Sequence, residues 1–196
     1  MLKRLSLAAA ALGATTLPAF AHLNPEEHGS FMAGVSHPFF GADHILAMVA
    51  VGLWASQIAL AQNDRKALWI VPSAFVGTMA IGFLMAVYGI GLPFVEPAIL
   101  ASVIGLGLLV TIAARLPTAA AAAVVGAFAL FHGHAHGGEL GSAGVWQFGI
   151  GFMIATAILH LAGIVLGLRI TRFGSAASRT AGALTAIAGL SLAFGG

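Results

Sequence analysis

The chain alternates long apolar runs with short polar breaks. Runs of about 20 apolar residues, the length that crosses a bilayer as a helix, recur near 39–61, 67–90, 94–114, 118–136, 145–168 and 177–194. The breaks NDRK, GIGLP, RLPT, GGELGSAG and RITRFGSA carry turn residues or charge and leave no room for a soluble domain. The pattern predicts an all-α fold: a polytopic membrane helix bundle of about six transmembrane helices.

One more apolar stretch precedes these runs. MLKRLSLAAAALGATTLPAFA has Lys3 and Arg4, an apolar middle and Ala19-Phe20-Ala21, the parts of an N-terminal secretory signal peptide with its cleavage site. The expected organisation is a signal peptide over residues 1–21, cut after Ala21, followed by a single six-helix transmembrane domain over 22–196. An uncleaved first helix is the alternative, and it gives the same orientation.

Composition agrees with a lipid bilayer as the first partner: 60% of residues are hydrophobic and 7% charged, with a mean hydropathy of +1.02. The 26 glycines suit helices that approach closely in lipid, where small residues let backbones meet; GIVLG, residues 163–167, is one instance. The formal net charge of +2 falls to zero once Lys3 and Arg4 are removed, leaving six basic and six acidic side chains. That balance offers no basic surface to a nucleic acid. With zero cysteines, disulfides and thiolate metal sites are excluded. No Walker-type Gly-x-x-x-x-Gly-Lys occurs and the lysines are Lys3 and Lys66, so no ATP is expected as a partner through a P-loop.

The remaining charges sort by side. Arg65 and Lys66 follow the first run, Arg115 the third, and Arg169, Arg172 and Arg179 surround the break after the fifth. By the positive-inside rule that side is cytoplasmic, which places the protein in the inner membrane of a bacterium with the mature N-terminus and the C-terminus on the outer, periplasmic side. Metal-capable side chains gather on that outer side. His22, Glu26, Glu27, His28 and His37 precede the first run, Asp43 and His44 lie in its first turns, and Glu96 opens the third. His132, His134 and His136 close the fourth, and Glu139 follows. Asp64 and His160 depart from the pattern.

Two segments concentrate these groups. In HPFFGADH, residues 37–44, Pro38 suits the first position of a helix, with His37 just outside it and Asp43 and His44 one to two turns in. In a regular helix His44 then lies roughly 9 Å below His37, too far for one ion to meet both. A shared site requires Gly41 to break or bend the helix, or ligands from another span. In FHGHAHGGE, residues 131–139, His132 and His136 share a helix face and can chelate one ion, while His134 is rotated by about 200°. Glu139 adds a carboxylate if the helix frays at Gly137-Gly138. Asp43 matters because an ionised carboxylate within a span costs about 2.5–3.5 kcal/mol and marks a pathway or a site.

The predicted metal ligands are therefore His37, Asp43, His44, His132, His136 and Glu139, with His22, His28, His134, Glu96 and His160 as accessory candidates. Structural hydrogen bonding is the plainer reading of His134 and His160, and the helix dipole is the plainer reading of Glu96. Imidazole and carboxylate suit Ni²⁺, Co²⁺, Zn²⁺ and Cu²⁺ alike, so the donors by themselves name no ion.

The two segments resemble the two signatures of the HupE/UreJ family, the hydrogenase and urease accessory membrane proteins. These are His-x5-Asp-His near the start of the first mature span and Phe-His-Gly-x-[Ala/Val]-His-Gly-x-Glu in the fourth. Here they read His37, Asp43, His44, and Phe131, His132, Gly133, Ala135, His136, Gly137, Glu139, with every specified position matched. His134 and Gly138 occupy variable positions, so His134 inherits no role. The first motif is also similar to the His-x4-Asp-His of nickel/cobalt permeases, with one extra residue.

The resemblance implies a permease without catalytic residues or a catalytic cofactor. It implies Ni²⁺ as the transported ion, Co²⁺ second and Zn²⁺ behind, supplied for nickel-enzyme maturation. In the expected route the tail carrying His22, Glu26, Glu27 and His28 concentrates the ion, and a free amine on His22 adds a chelate. The ion then passes to the six ligands, with His160, about 22 Å along its helix from residue 145, as an inner way-station. Neutral imidazole is needed, so uptake should fall as the outer pH drops below about 6.5. The rival readings are an intramembrane zinc-dependent hydrolase, which lacks His-Glu-x-x-His and Gly-x-Ser-x-Gly here, and a metal sensor or assembly protein without transport.

Overall fold

A computed structural model describes residues 29–195. The expected signal segment 1–21, and His22, Glu26, Glu27 and His28, lie outside the described residues. The described chain forms α1 (Ser30–Phe40), α2 (Ala42–Gln62), α3 (Ala67–Val87), α4 (Val95–Thr111) and α5 (Thr118–Gly138). It continues as α6 (Val145–Ile170), a 3-10 turn (Thr171–Phe173) and α7 (Ser175–Phe194). No strand occurs among the described residues.

Helices α2 to α7 fall on the six apolar runs, with ends displaced by a few residues. Four of them, α2, α3, α5 and α6 with its 3-10 extension, are long and apolar enough to cross a bilayer. The apolar α4 has 17 residues. The polar opening SAASRT keeps the 20-residue α7 out of the span-length group. These apolar helices fit a multi-pass membrane protein. The ends obey local chemistry: Asn63 closes α2 with a left-handed φ of 53°, and Pro117 precedes α5, where its fixed φ suits a helix start.

The start of the first run differs from expectation. Residues 30–40 form a helix of their own, so Pro38 does not open the next helix; it sits in the last turn of α1, and His37 lies inside that helix rather than outside α2. There proline leaves the Gly34 carbonyl without its helical donor, and the helix ends two residues later. The break falls instead at Gly41, whose backbone is extended (φ −86°, ψ 114°).

Packing fixes how the helices run. The Gly144 N–H donates to Ser30 Oγ at 2.7 Å, Gly34 lies on the Phe148 backbone, Gly163 on Val49 and Gly167 on Ser56. Thus α1 and α2 together run parallel to α6, as one helix interrupted at Gly41. Similarly α3 runs parallel to α5, with Gly126 on Thr78, Gly133 on Met79 and Gly137 on Phe83, while α4 and α7 are antiparallel through Gly107 on Ala186 and Gly189 on Val103. Lipid tails are as apolar as Leu, so burial alone does not hold such helices together; close packing does. Both glycines of GIVLG serve this purpose against α2.

Alternating directions gather the breaks 63–66, 112–117 and 171–174 at one end of the bundle. There Thr118 Oγ1 donates to Asp64 Oδ2 at 2.7 Å and Gln62 Nε2 to the Leu116 carbonyl at 2.8 Å. The fully buried Trp54 donates its indole N–H to the Ala114 carbonyl at 2.9 Å. Arg65, Lys66, Arg115 and Arg172 belong to this end. The Gly41 break, the C-terminus of α5 and the N-terminus of α6 lie at the opposite end.

Candidate metal centre

Histidines from the two helices that meet at Gly41 converge on one histidine of α5. From α1, His37 Nε2 lies 2.8 Å from His136 Nδ1 on α5. From α2, His44 Nδ1 lies 3.2 Å from the other ring nitrogen, His136 Nε2. The α5 helix ends at Gly138, and Glu139, its C-terminal cap, turns back so that Oε2 is 3.2 Å from His136 Nδ1 and 3.9 Å from His37 Nε2. His37, His136 and Glu139 thus present three ligand atoms within 4.8 Å of one another. With metal–ligand bonds of about 2.0–2.1 Å, neighbouring donors stand roughly 2.9 Å apart at right angles and roughly 3.4 Å apart in a tetrahedron. Separations of 2.8, 3.2 and 3.9 Å bracket those values, so the group fits a divalent ion with little movement.

The surroundings grade from wet to dry. Glu139 is half-exposed at its side chain, whereas His37 and His136 are buried and His44 and His132 almost wholly so. Phe152 forms the apolar wall, with ring centroids 4.8 Å from His136 and 5.0 Å from His44, and Phe148 stacks behind it 5.7 Å from His37. A dry wall strengthens an ion's bonds to imidazole and leaves water access at the carboxylate rim.

Deeper in, His132 continues the column on α5, its ring 5.2 Å from that of His44. Ser102 of α4 fixes its protonation. The Ser102 hydroxyl has one proton, donated to the Ile99 carbonyl at 2.6 Å, so at 2.8 Å it accepts from His132 Nε2–H. His132 Nδ1 is then a bare lone pair, buried and without a hydrogen-bond partner, and His44 Nε2 is likewise buried without one. In the upper ring His136 Nδ1 faces His37 Nε2 and Glu139 Oε2, and His136 Nε2 faces His44 Nδ1. Whichever of its nitrogens carries the proton, the other presents a lone pair to these neighbours or to a cation.

The other predicted residues separate. Asp43 is half-buried in the first turn of α2 beside Gly41, outside the three-ligand group. His134 points the opposite way from His132 and His136 and bonds to the Ile90 carbonyl at 2.9 Å. Glu96 is exposed in the first turn of α4, where the helix dipole favours a carboxylate. His160 lies buried in the middle of α6. Sequence reasoning missed Ser102, which stands 30 positions from its partner in a bland run. It also missed the aromatic wall, for which Phe148 and Phe152, one helical turn apart, carried a readable signal.

A multi-pass helical membrane protein with a histidine and carboxylate cluster at the end opposite its basic breaks is the class these features define. The family model described as HupE / UreJ protein matches residues 10–192, and the chain belongs to that family. It is 49% identical over 187 residues to Protein HupE of Rhizobium leguminosarum bv. viciae, a similarity that covers 94% of this chain and 95% of the relative. No solved structure matches.

Proposed function

We propose that the chain is a permease for a divalent transition-metal ion, Ni²⁺ first and Co²⁺ second with Zn²⁺ behind, serving nickel-enzyme maturation as a hydrogenase and urease accessory protein. It acts as a six-span protein of a bacterial inner membrane after loss of its signal peptide, without catalytic residues, ATP or a catalytic cofactor. The observation that carries this reading is the ring of His136, which meets His37 across one nitrogen and His44 across the other. A hydrolase needs a metal held by a closed ligand set with one open position. A permease instead needs successive, exchangeable positions, and a ring shared between an outer and an inner partner suits a hand-over.

The ion arrives at the outer face, meets Glu139, His37 and His136 at the rim, and exchanges His37 and Glu139 for His44 and then His132. By the positive-inside rule, the basic breaks at the other end support a cytoplasmic location for it. Radioactive nickel uptake by cells making wild type, His44→Ala or His136→Ala at matched membrane levels tests the reading, with excess cobalt, zinc or copper as competitors. Uptake well above empty cells and lost in both variants is the expected result. Wild-type uptake equal to that of empty cells would sink it.

A further inference from the structure

Among the described residues, every buried side-chain nitrogen or oxygen without a hydrogen-bond partner belongs to His44, His132, His160 or Gln57. His160 differs from the others because both of its ring nitrogens are unpartnered, although the residue is 1% exposed. A polar ring in an apolar span is normally kept by the hydrogen bonds it makes. His160 makes none, so structural bonding does not explain it. A ligand that visits does.

Its position continues the column. The Phe75 ring lies between the two histidines, 5.7 Å from His132 and 5.0 Å from His160 by ring centroids. Along α6, Phe152, Thr156 and His160 share one face at four-residue steps, about 6 Å each. Phe152 walls the outer cluster. Thr156, wholly buried, directs its hydroxyl at Met79 Sδ, 3.8 Å away, which adds an oxygen and a soft sulfur donor at the level between. On the lipid side, His160 lines a groove of about 520 Å³ with Leu68, Pro72 and Ser73 of α3. There Pro72 removes the helical donor of the Leu68 carbonyl.

We propose that His160 is an inner binding station for the transported cation, entered from His44 and His132 past the Phe75 ring; this rests on the permease reading above. The ion exchanges imidazole for imidazole and no proton or electron need move, since both rings bind as neutral donors. Thr156 and Met79 lie on the way as transient donors. Phe75 is the apolar step that keeps the two stations from merging.

Two variants in purified protein and in proteoliposomes test the proposal, with Ni²⁺ as the probe. His160→Leu should bind nickel at the outer cluster within about threefold of wild type, because it touches none of those ligands, yet carry at least tenfold less flux. Its unfolding temperature should be equal or higher, since no hydrogen bond is lost. In a chain with no cysteine, the His160→Cys variant supplies a single thiol whose alkylation by a membrane-permeant maleimide nickel should slow severalfold. Flux in His160→Leu within twofold of wild type would overturn the proposal alone. So would alkylation of the Cys variant that saturating nickel leaves unchanged. A wild type that binds nickel without moving it would overturn the permease reading, and this station with it.

Discussion

His37 Nε2 lies 2.8 Å from His136 Nδ1 although 99 positions separate the two residues. His37 belongs to α1, and His44, which faces the other nitrogen of the same ring, belongs to α2. The two helices meet at Gly41, so the geometry around His136 depends on how that junction sets one against the other.

The Gly41→Ala variant tests that dependence. The extended backbone at Gly41 is open to any residue, and its added Cβ would come to 3.0 Å from Asp43 Oδ1, so the fold should survive. Alanine favours the helical state by about 1 kcal/mol over glycine, which shifts the pair α1–α2 toward continuity. Nickel affinity of the purified protein should fall roughly tenfold with little change in unfolding temperature, and unchanged affinity in calorimetric titration would detach the site from the break.

Ser102 holds the His132 ring in the Nε2–H form. Removing the hydroxyl in Ser102→Ala leaves that proton unsatisfied and frees the ring to change tautomer. Loss of a partner that orients a metal-binding histidine typically costs 10–100-fold in affinity, and that range is expected here. Nitrogen NMR of the labelled imidazole should show Nδ1 gaining proton character; an unaltered tautomer with unaltered binding would assign Ser102 to packing alone.

Close backbone contact makes some glycines irreplaceable and leaves others free. A Cβ on Gly133 would run into the Met79 carbonyl, whereas a Cβ on Gly77 meets nothing within 4 Å. Gly133→Ala should therefore destabilise by about 1–3 kcal/mol or more and lower the folded yield in detergent, while Gly77→Ala, in the middle of α3, should be neutral or slightly stabilising. Equal thermal stability of the two variants would contradict the parallel packing of α3 on α5.

At the basic end, Asp64 accepts from the Thr118 hydroxyl at 2.7 Å and from the Lys66 backbone N–H at 3.1 Å. The Thr118 bond first, then the Lys66 N–H, hold its carboxyl below the usual carboxylate range. A carboxyl lowered in the folded state stabilises the fold above its unfolded pKa and loses that contribution as pH falls through the folded value. Asp64→Asn should thus unfold at a lower temperature than wild type at pH 7, and the gap should close as pH falls below about 4. A gap that stays constant down to pH 3 would argue against the ionised bond.

Much of this architecture is legible in the sequence, and for a physical reason. Long apolar runs between polar breaks read as helices without knowledge of their partners, and α2 to α7 fall on the six runs. The i,i+4 pair His132 and His136 is equally local, whereas the expected fraying at Gly137-Gly138 does not occur: the helix runs through Gly138 and Glu139 caps it. The helix over 30–40 is not legible: Pro38 reads as a helix start with His37 outside it, yet both lie inside a helix that packs on α6. Nor can any window show Ser102 beneath His132, because that bond depends on how α4 sits against α5. Asp43 keeps the place its spacing gives it, in the first turn of α2 beside Gly41 and one residue before His44.

The most direct measurement is nickel entry into liposomes that contain the purified protein and a trapped nickel-quenched dye, with wild type compared against His136→Ala. Wild type should speed quenching well above protein-free liposomes, and His136→Ala, which removes the ring common to both sets of contacts, should return it to background. Wild-type vesicles that retain nickel on the protein but quench no faster than empty ones would contradict transport and leave a metal-binding accessory protein in its place.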